Sequence, residues 1–140
     1  MLEQFKLLVT YNQLMNRRMF EALSALSQEQ LNEDRGAFFS SIQGSLNHIL
    51  VGDIIWLKRF AAHPAFVRQK EYLDLLEQPT SLDIILFDDF ESLKQMRETI
   101  DGLLVDWISP LNQDDLKGVL NYKNMAGNPF CYDLVSLMHH

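Results

Sequence analysis

Apolar residues recur at helical spacing, three or four positions apart, in three long stretches of the chain. These stretches run from about residue 2 to 26, from 40 or 41 to 62, and from 80 or 81 to 108. Pro64 ends the second stretch, and the Ser109-Pro110 pair ends the third. The pattern predicts three long amphipathic helices.

The segments between these helices have their own signals. Ser27 and Gln30 have the spacing of a capping box, which predicts a short helical turn after the first long helix. Residues 63–80 lie between two prolines and are predicted to be a connection that contains a short helix. Residues 111–129 are rich in Asn, Asp and Gly, so we expect an irregular excursion with a small hairpin around residues 126–128.

The last predicted helix begins at Pro129, a residue that is favourable in the first helical turn. Apolar residues at 130, 134, 137 and 138 give it only two or three turns before His139 and His140. Three helices of about 20 residues need a fourth of similar length to cover their apolar faces. We therefore expect one all-α, four-helix-bundle domain over residues 1–140. Its fourth helix is either truncated, which we favour, or naturally short.

Composition narrows the class of protein. The chain of 140 residues is 47% hydrophobic and 22% charged, as expected for a globular domain. A formal charge of −7 argues against nucleic-acid binding as a main activity. The single cysteine, Cys131, excludes a disulfide within the chain. Neither a signal peptide nor an apolar run of membrane-spanning length is apparent, so we expect a soluble, cytoplasmic protein that does not bind membranes.

His48 is the best candidate for chemistry. It lies in the second predicted helix, on a face that also carries Ser45, Gly52 and Trp56. Glycine is unfavourable inside a helix, so Gly44 and Gly52, on either side of His48, suggest that room is kept there for another group. His48 is either a ligand for Zn or Ni or a core histidine bonded to a neighbouring polar group.

The remaining candidates allow two interpretations each. Asn12 and Asn16 share a helical face and either line a pocket or form a hydrogen bond between helices. Asp53 is predicted to pair with an arginine of another helix, which is more often a structural than a catalytic arrangement. His139 and His140 are either further metal ligands from the last helix or solvent-exposed.

These residues resemble the DinB/YfiT family of DNA-damage-inducible, metal-dependent proteins. Residues 11–16 (Tyr-Asn-Gln-Leu-Met-Asn) are similar to the segment that opens such proteins. The spacing of His48, Asp53, Trp56 and Arg59 resembles the family's second helix and is the most specific part. Residues 93–101, 122–127 and 134–139 are similar to its third helix and to the approach to its last helix.

The resemblance implies an up-down-down-up four-helix bundle that binds Zn or Ni through three histidines. His48 matches the ligand from the second helix, and His139 or His140 resembles the histidine one turn before the HxxxH pair of the last helix. That pair would fall beyond residue 140, so the metal is expected in the intact protein and can be absent from this chain. Asn12, Asn16, Ser45, Gly52 and Trp56 would line the pocket.

The resemblance leaves two functions open. One is a metal-dependent enzyme, such as a thiol-dependent transferase or a hydrolase, acting on a small molecule of unknown identity. The other is a non-enzymatic bundle that dimerises or binds a partner, with a structural His48. A homodimer is expected from the resemblance in either case.

Overall fold

The computed structural model describes residues 1–139 and is mainly helical. Its helices are α1 (Leu2–Leu23), α2 (Gln28–Asn32), α3 (Ile42–Phe60), α4 (Lys70–Leu75), α5 (Phe90–Ile108) and α6 (Leu134–Met138). A 3-10 helix (Pro64–Gln69) leads into α4, and a hairpin of β1 (Val119–Lys123) and β2 (Pro129–Asp133) precedes α6.

The three long helices, α1, α3 and α5, form the main core. Phe20 near the end of α1 stacks on Phe90 at the start of α5, so these two helices run antiparallel. Helix α3 runs parallel to α5. The apolar stripes predicted from the sequence supply the buried side chains, including Leu50, Ile54 and Leu57 of α3 and Leu93, Ile100 and Trp107 of α5.

Side chains cap the predicted helix starts. The Ser41 hydroxyl accepts a hydrogen bond from the Gly44 amide at 2.9 Å and begins α3. Ser27 and Gln30 form the predicted capping box at the start of α2. The predicted short helix in residues 63–80 is also confirmed, as the 3-10 helix followed by α4.

Two predicted boundaries of the long helices are wrong. Helix α1 ends at Leu23 rather than near residue 26. The third long helix begins at Phe90, not at residue 80 or 81, and Asp89 is its cap. Residues 81–89 are irregular because side chains of α3 bind their backbone, as described below.

The hairpin around residues 126–128 is confirmed, but Pro129 begins a strand rather than a helix. Strands β1 and β2 are antiparallel, and Asn121 lies opposite Cys131. Gly127 has a φ of 84°, a conformation that favours glycine in the turn. Asp133 accepts hydrogen bonds from the Val135 and Ser136 amides and therefore starts α6 at Leu134, five residues later than expected.

The predicted four-helix bundle is not confirmed. Within residues 1–139, only α1, α3 and α5 have more than six residues, and α6 has five. One face between the long helices consequently forms a groove. No helix in this part of the chain is both long and apolar enough to cross a membrane.

Candidate functional site

A buried ionic network joins the three long helices. Arg97 of α5 is 3% exposed. Its Nη1 donates a hydrogen bond to Asp53 Oδ2 at 2.5 Å, and its Nη2 lies 2.7 Å from Asp101 Oδ1. The sequence predicted that Asp53 pairs with an arginine of another helix, and the structure identifies that arginine as Arg97.

Asn12 and Asn16 complete this network from α1. The Asn12 amide donates to Asp101 Oδ1 at 3.1 Å, and the Asn16 amide donates to both carboxylate oxygens of Asp101 at 3.0 Å. Both asparagines therefore form a hydrogen bond between helices, which is one of the two interpretations given for them. Asp101 was missed by the sequence analysis, although two amides on one apolar face already required an acceptor nearby.

Burial raises the pKa of the Asp101 carboxyl, and this effect exceeds the opposite effects of Arg97 and Asn16. The network sets one cation against two carboxylates and two neutral amides, and it links α1, α3 and α5. Its carboxylates are occupied by internal partners, so its main role is structural.

The groove beside this network has a volume of about 510 Å³. Asn12, Asp53 and Trp56 form part of its wall, and most of the rest is apolar, with contributions from Phe5, Leu8, Val9, Met15, Phe60, Leu104, Trp107, Leu137 and Met138. The buried Trp107 Nε1 has no hydrogen-bond partner among the described residues. Asn16 instead lines a smaller cavity of about 200 Å³ with Arg17 and Lys94.

His48 is held in one orientation by two contacts. Its Nδ1 lies 2.7 Å from the Leu82 carbonyl oxygen, and its ring stacks on Phe39 with centroids 3.8 Å apart. Since a carbonyl can only accept, Nδ1 carries the proton, and the Nε2 lone pair is the free one. This is the arrangement in which a histidine can coordinate a metal through Nε2.

The two glycines beside His48 differ. A Cβ at Gly44 would overlap the Phe39 carbonyl oxygen, whereas a Cβ at Gly52 would meet no atom within 4 Å. Gly44 thus lets the backbone of Phe39 approach α3 and brings the Phe39 ring onto His48. At Gly44 the room is taken by the Phe39 backbone, and at Gly52 it is open.

Asn47, the neighbour of His48, organises the irregular segment before α5. This fully buried side chain accepts hydrogen bonds from the Leu86 and Phe87 amides at 2.9 and 3.0 Å. Its own amide donates to the carbonyl oxygens of Gln43 and Phe87. Residues 81–89 therefore cover the side of α3 on which Asn47 lies.

The other candidates are dispersed. His139 packs edge-on against Phe5, while its Nδ1 lies 2.8 Å from the Val135 carbonyl oxygen. Phe5 is near the start of α1 and His48 is near the start of α3, so His48 and His139 lie towards opposite ends of the bundle. His140 lies outside the described residues. Ser45 donates a hydrogen bond to the Ser41 carbonyl oxygen, and Cys131 is exposed.

Comparison with known proteins identifies the family. Within residues 1–139, no group of three or more His, Cys, Asp and Glu side chains could hold a metal ion. No match was found among curated proteins or among solved structures. The model of the DinB family, however, matches residues 1–135 and so covers nearly the whole chain. This protein is therefore a member of the DinB family.

Proposed function

We propose that this protein is a metal-dependent member of the DinB family and that His48 provides one ligand through Nε2. The observation that carries the proposal is the geometry of His48. A backbone carbonyl fixes the proton on Nδ1, an aromatic ring fixes the plane, and Gly52 leaves space one turn along the same helix face. Such an orientation is what a metal ligand requires.

The donor set of the described residues fits a metal only in part. Catalytic zinc sites use three protein ligands, and residues 1–139 contain no cluster of that size. His140, which lies outside the described residues, stays a candidate ligand of the proposed site, whereas His139 lies towards the opposite end of the bundle from His48. A bound Zn or Ni would act as a Lewis acid and lower the pKa of a coordinated thiol or water.

The proposed reaction class is a transfer or hydrolysis on a small molecule, with a low-molecular-weight thiol as the candidate co-substrate. The groove supports this choice because it combines an apolar wall with two polar side chains, Asn12 and Asp53. The single cysteine supports a cytoplasmic location.

Metal titration tests the assignment of His48. We expect chelator-treated wild-type protein to bind about one equivalent of Zn²⁺ or Ni²⁺, measured by competition with a chromophoric chelator. His48→Ala should abolish this binding. His63→Asn is the matched control: it removes another imidazole but keeps a side chain that can accept the Ala65 amide, as His63 Nδ1 does. Unchanged metal binding in His48→Ala, with the fold intact by circular dichroism, would contradict the proposal.

A second candidate function is that of a homodimerising or partner-binding bundle with a structural His48. The observation that favours it is an apolar stripe on the outer side of α1, where Leu7, Tyr11 and Leu14 are 69%, 58% and 42% exposed. Light scattering during gel filtration tests it. Leu7→Lys with Leu14→Lys should give a monomer, whereas Thr99→Lys, at an exposed position of α5, should leave a dimer. A wild-type monomer at all concentrations would rule it out.

A further inference from the structure

A second cavity lies on the opposite face of α3 from the groove. Its volume is about 290 Å³, near the lower limit of small-molecule pockets. Its walls come from α3, from Gln78 in the connection after α4, and from the hairpin. The described lining residues are Ile55, Lys58, Arg59, Ala62, Gln78, Asn121, Tyr122, Lys123, Asn124 and Met125. We refer to this site as the basic cavity.

The charge of the basic cavity is opposite to that of the whole chain. Lys58, Arg59 and Lys123 give it three positive charges, and none of its described lining residues is acidic. The chain as a whole has 19 acidic and 12 basic residues, so a cavity whose charged lining residues are all basic is not expected by chance. Within residues 1–139, none of these three cations forms an ion pair with a carboxylate. Their charge is therefore available to a ligand.

Two aromatic rings hold the Arg59 side chain in place but do not neutralise its charge. Its guanidinium carbon lies 4.6 Å from the centroid of the Trp56 ring and 4.8 Å from that of Tyr122. Stacking on aromatic faces holds the plane of a guanidinium and leaves its edge, with the N–H donors, for a planar or tetrahedral anion. Burial lowers the pKa of Arg59, as expected for a cation whose solvation is partly lost and not replaced.

Neutral donors complete the wall. The Asn124 side-chain oxygen accepts the Asn128 amide in the hairpin turn, which leaves the Asn124 Nδ2 group as a donor. Lys58 donates one hydrogen bond to the Leu76 carbonyl oxygen and has two further N–H groups. Gln78 and Asn121 add two more amides. The cavity is thus rich in donors and lacks a competing carboxylate.

We propose that the basic cavity binds the phosphate group of a small organic phosphate. A phosphate monoester carries a charge of about −1.5 to −2 and several acceptor oxygens. It is therefore a better ligand for three cations than a molecule with a single carboxylate. Ile55, Tyr122 and Met125 provide an apolar wall for the organic part. A nucleic acid is disfavoured because the net charge of −7 repels an extended phosphate backbone. This site is independent of His48 and of any metal.

Isothermal titration calorimetry with phenyl phosphate tests the proposal, with phenol as the uncharged counterpart. We expect saturable binding of phenyl phosphate, weaker binding of inorganic phosphate, and none of phenol. Lys123→Gln should weaken the binding of phenyl phosphate about tenfold. Arg59→Lys keeps the charge but removes the forked donor, and should weaken it by a similar factor.

Lys117→Gln is the matched control for Lys123→Gln. It removes the same charge six residues earlier, from a lysine paired with Asp114 outside the cavity, and should leave the affinity unchanged. Equal losses in both lysine variants, or no saturable binding to wild type, would overturn the proposal. Tighter binding of a short single-stranded oligonucleotide than of phenyl phosphate would also overturn it. His48→Ala should bind phenyl phosphate as wild type does, which separates this site from the proposed metal ligand.

Discussion

Arg97 is buried and Arg59 is partly buried, but only Arg97 has carboxylates beside its guanidinium group. Arg97 lies between Asp53 and Asp101 at 2.5 and 2.7 Å. Arg59 lies between two aromatic rings and forms no ion pair within residues 1–139. An arginine whose charge is balanced internally holds helices together, whereas one whose charge is left unbalanced is available for a ligand.

The largest expected effect that tests this comparison is on stability. Arg97→Met leaves Asp101 buried without its cation, so we expect the free energy of unfolding to fall by roughly 3–5 kcal/mol. Arg59→Met keeps an apolar stem and buries no unpaired charge, and should cost about 1 kcal/mol or less. Urea denaturation followed by circular dichroism at pH 7 measures both. Similar losses in the two variants would remove the distinction between the arginines.

The two glycines of α3 also differ in their surroundings. Gly44 lies against the Phe39 backbone, whereas Gly52 faces open space. Gly44→Ala forces a methyl group against the Phe39 backbone and should cost about 1–3 kcal/mol. Gly52→Ala meets open space and should stabilise the helix by up to about 1 kcal/mol. Thermal denaturation of both variants checks the opposite signs. A Gly44→Ala protein as stable as wild type would mean that the Phe39 segment moves freely.

A smaller effect is expected in the pH dependence of stability. Because burial raises the pKa of Asp101, the folded state binds its proton more tightly than the unfolded state does. The stabilising contribution of Asp101 is then complete below the unfolded pKa of about 3.9 and is lost as the pH rises through the folded pKa. Stability relative to Asp101→Asn should therefore decrease from pH 4 upwards. An increase over that range would show that Arg97 outweighs burial and lowers this pKa.

Local signals in the sequence were sufficient for much of the fold. The capping box at Ser27, the start of the second long helix near residue 40 or 41 and the turn at residues 126–128 depend on neighbours in the chain, and all three predictions are confirmed. Residues 81–89 were predicted to be helical because their apolar spacing allows it. Tertiary contacts override that preference, since Asn47 binds the backbone of Leu86 and Phe87.

The sites were predictable only where one side chain demanded a partner. Two asparagines on an apolar face required an acceptor, and Asp53 required a cation. The sequence did not identify Asp101 as that acceptor or Arg97 as that cation. No pattern in the sequence indicated the basic cavity. Lys58 and Lys123 are 65 positions apart in the chain, and only the return of the hairpin against α3 brings them together.

Asn47 has a consequence for the motions of the molecule. Its side chain makes four hydrogen bonds, three of which tie residues 86–87 to the interior of α3. An irregular segment would ordinarily open locally at little cost, but here its opening breaks bonds to a fully buried group. The segment that includes the Leu82 carbonyl, the partner of His48, therefore belongs to the same cooperative unit as the core. The orientation of the His48 ring should persist for as long as α3 itself remains folded.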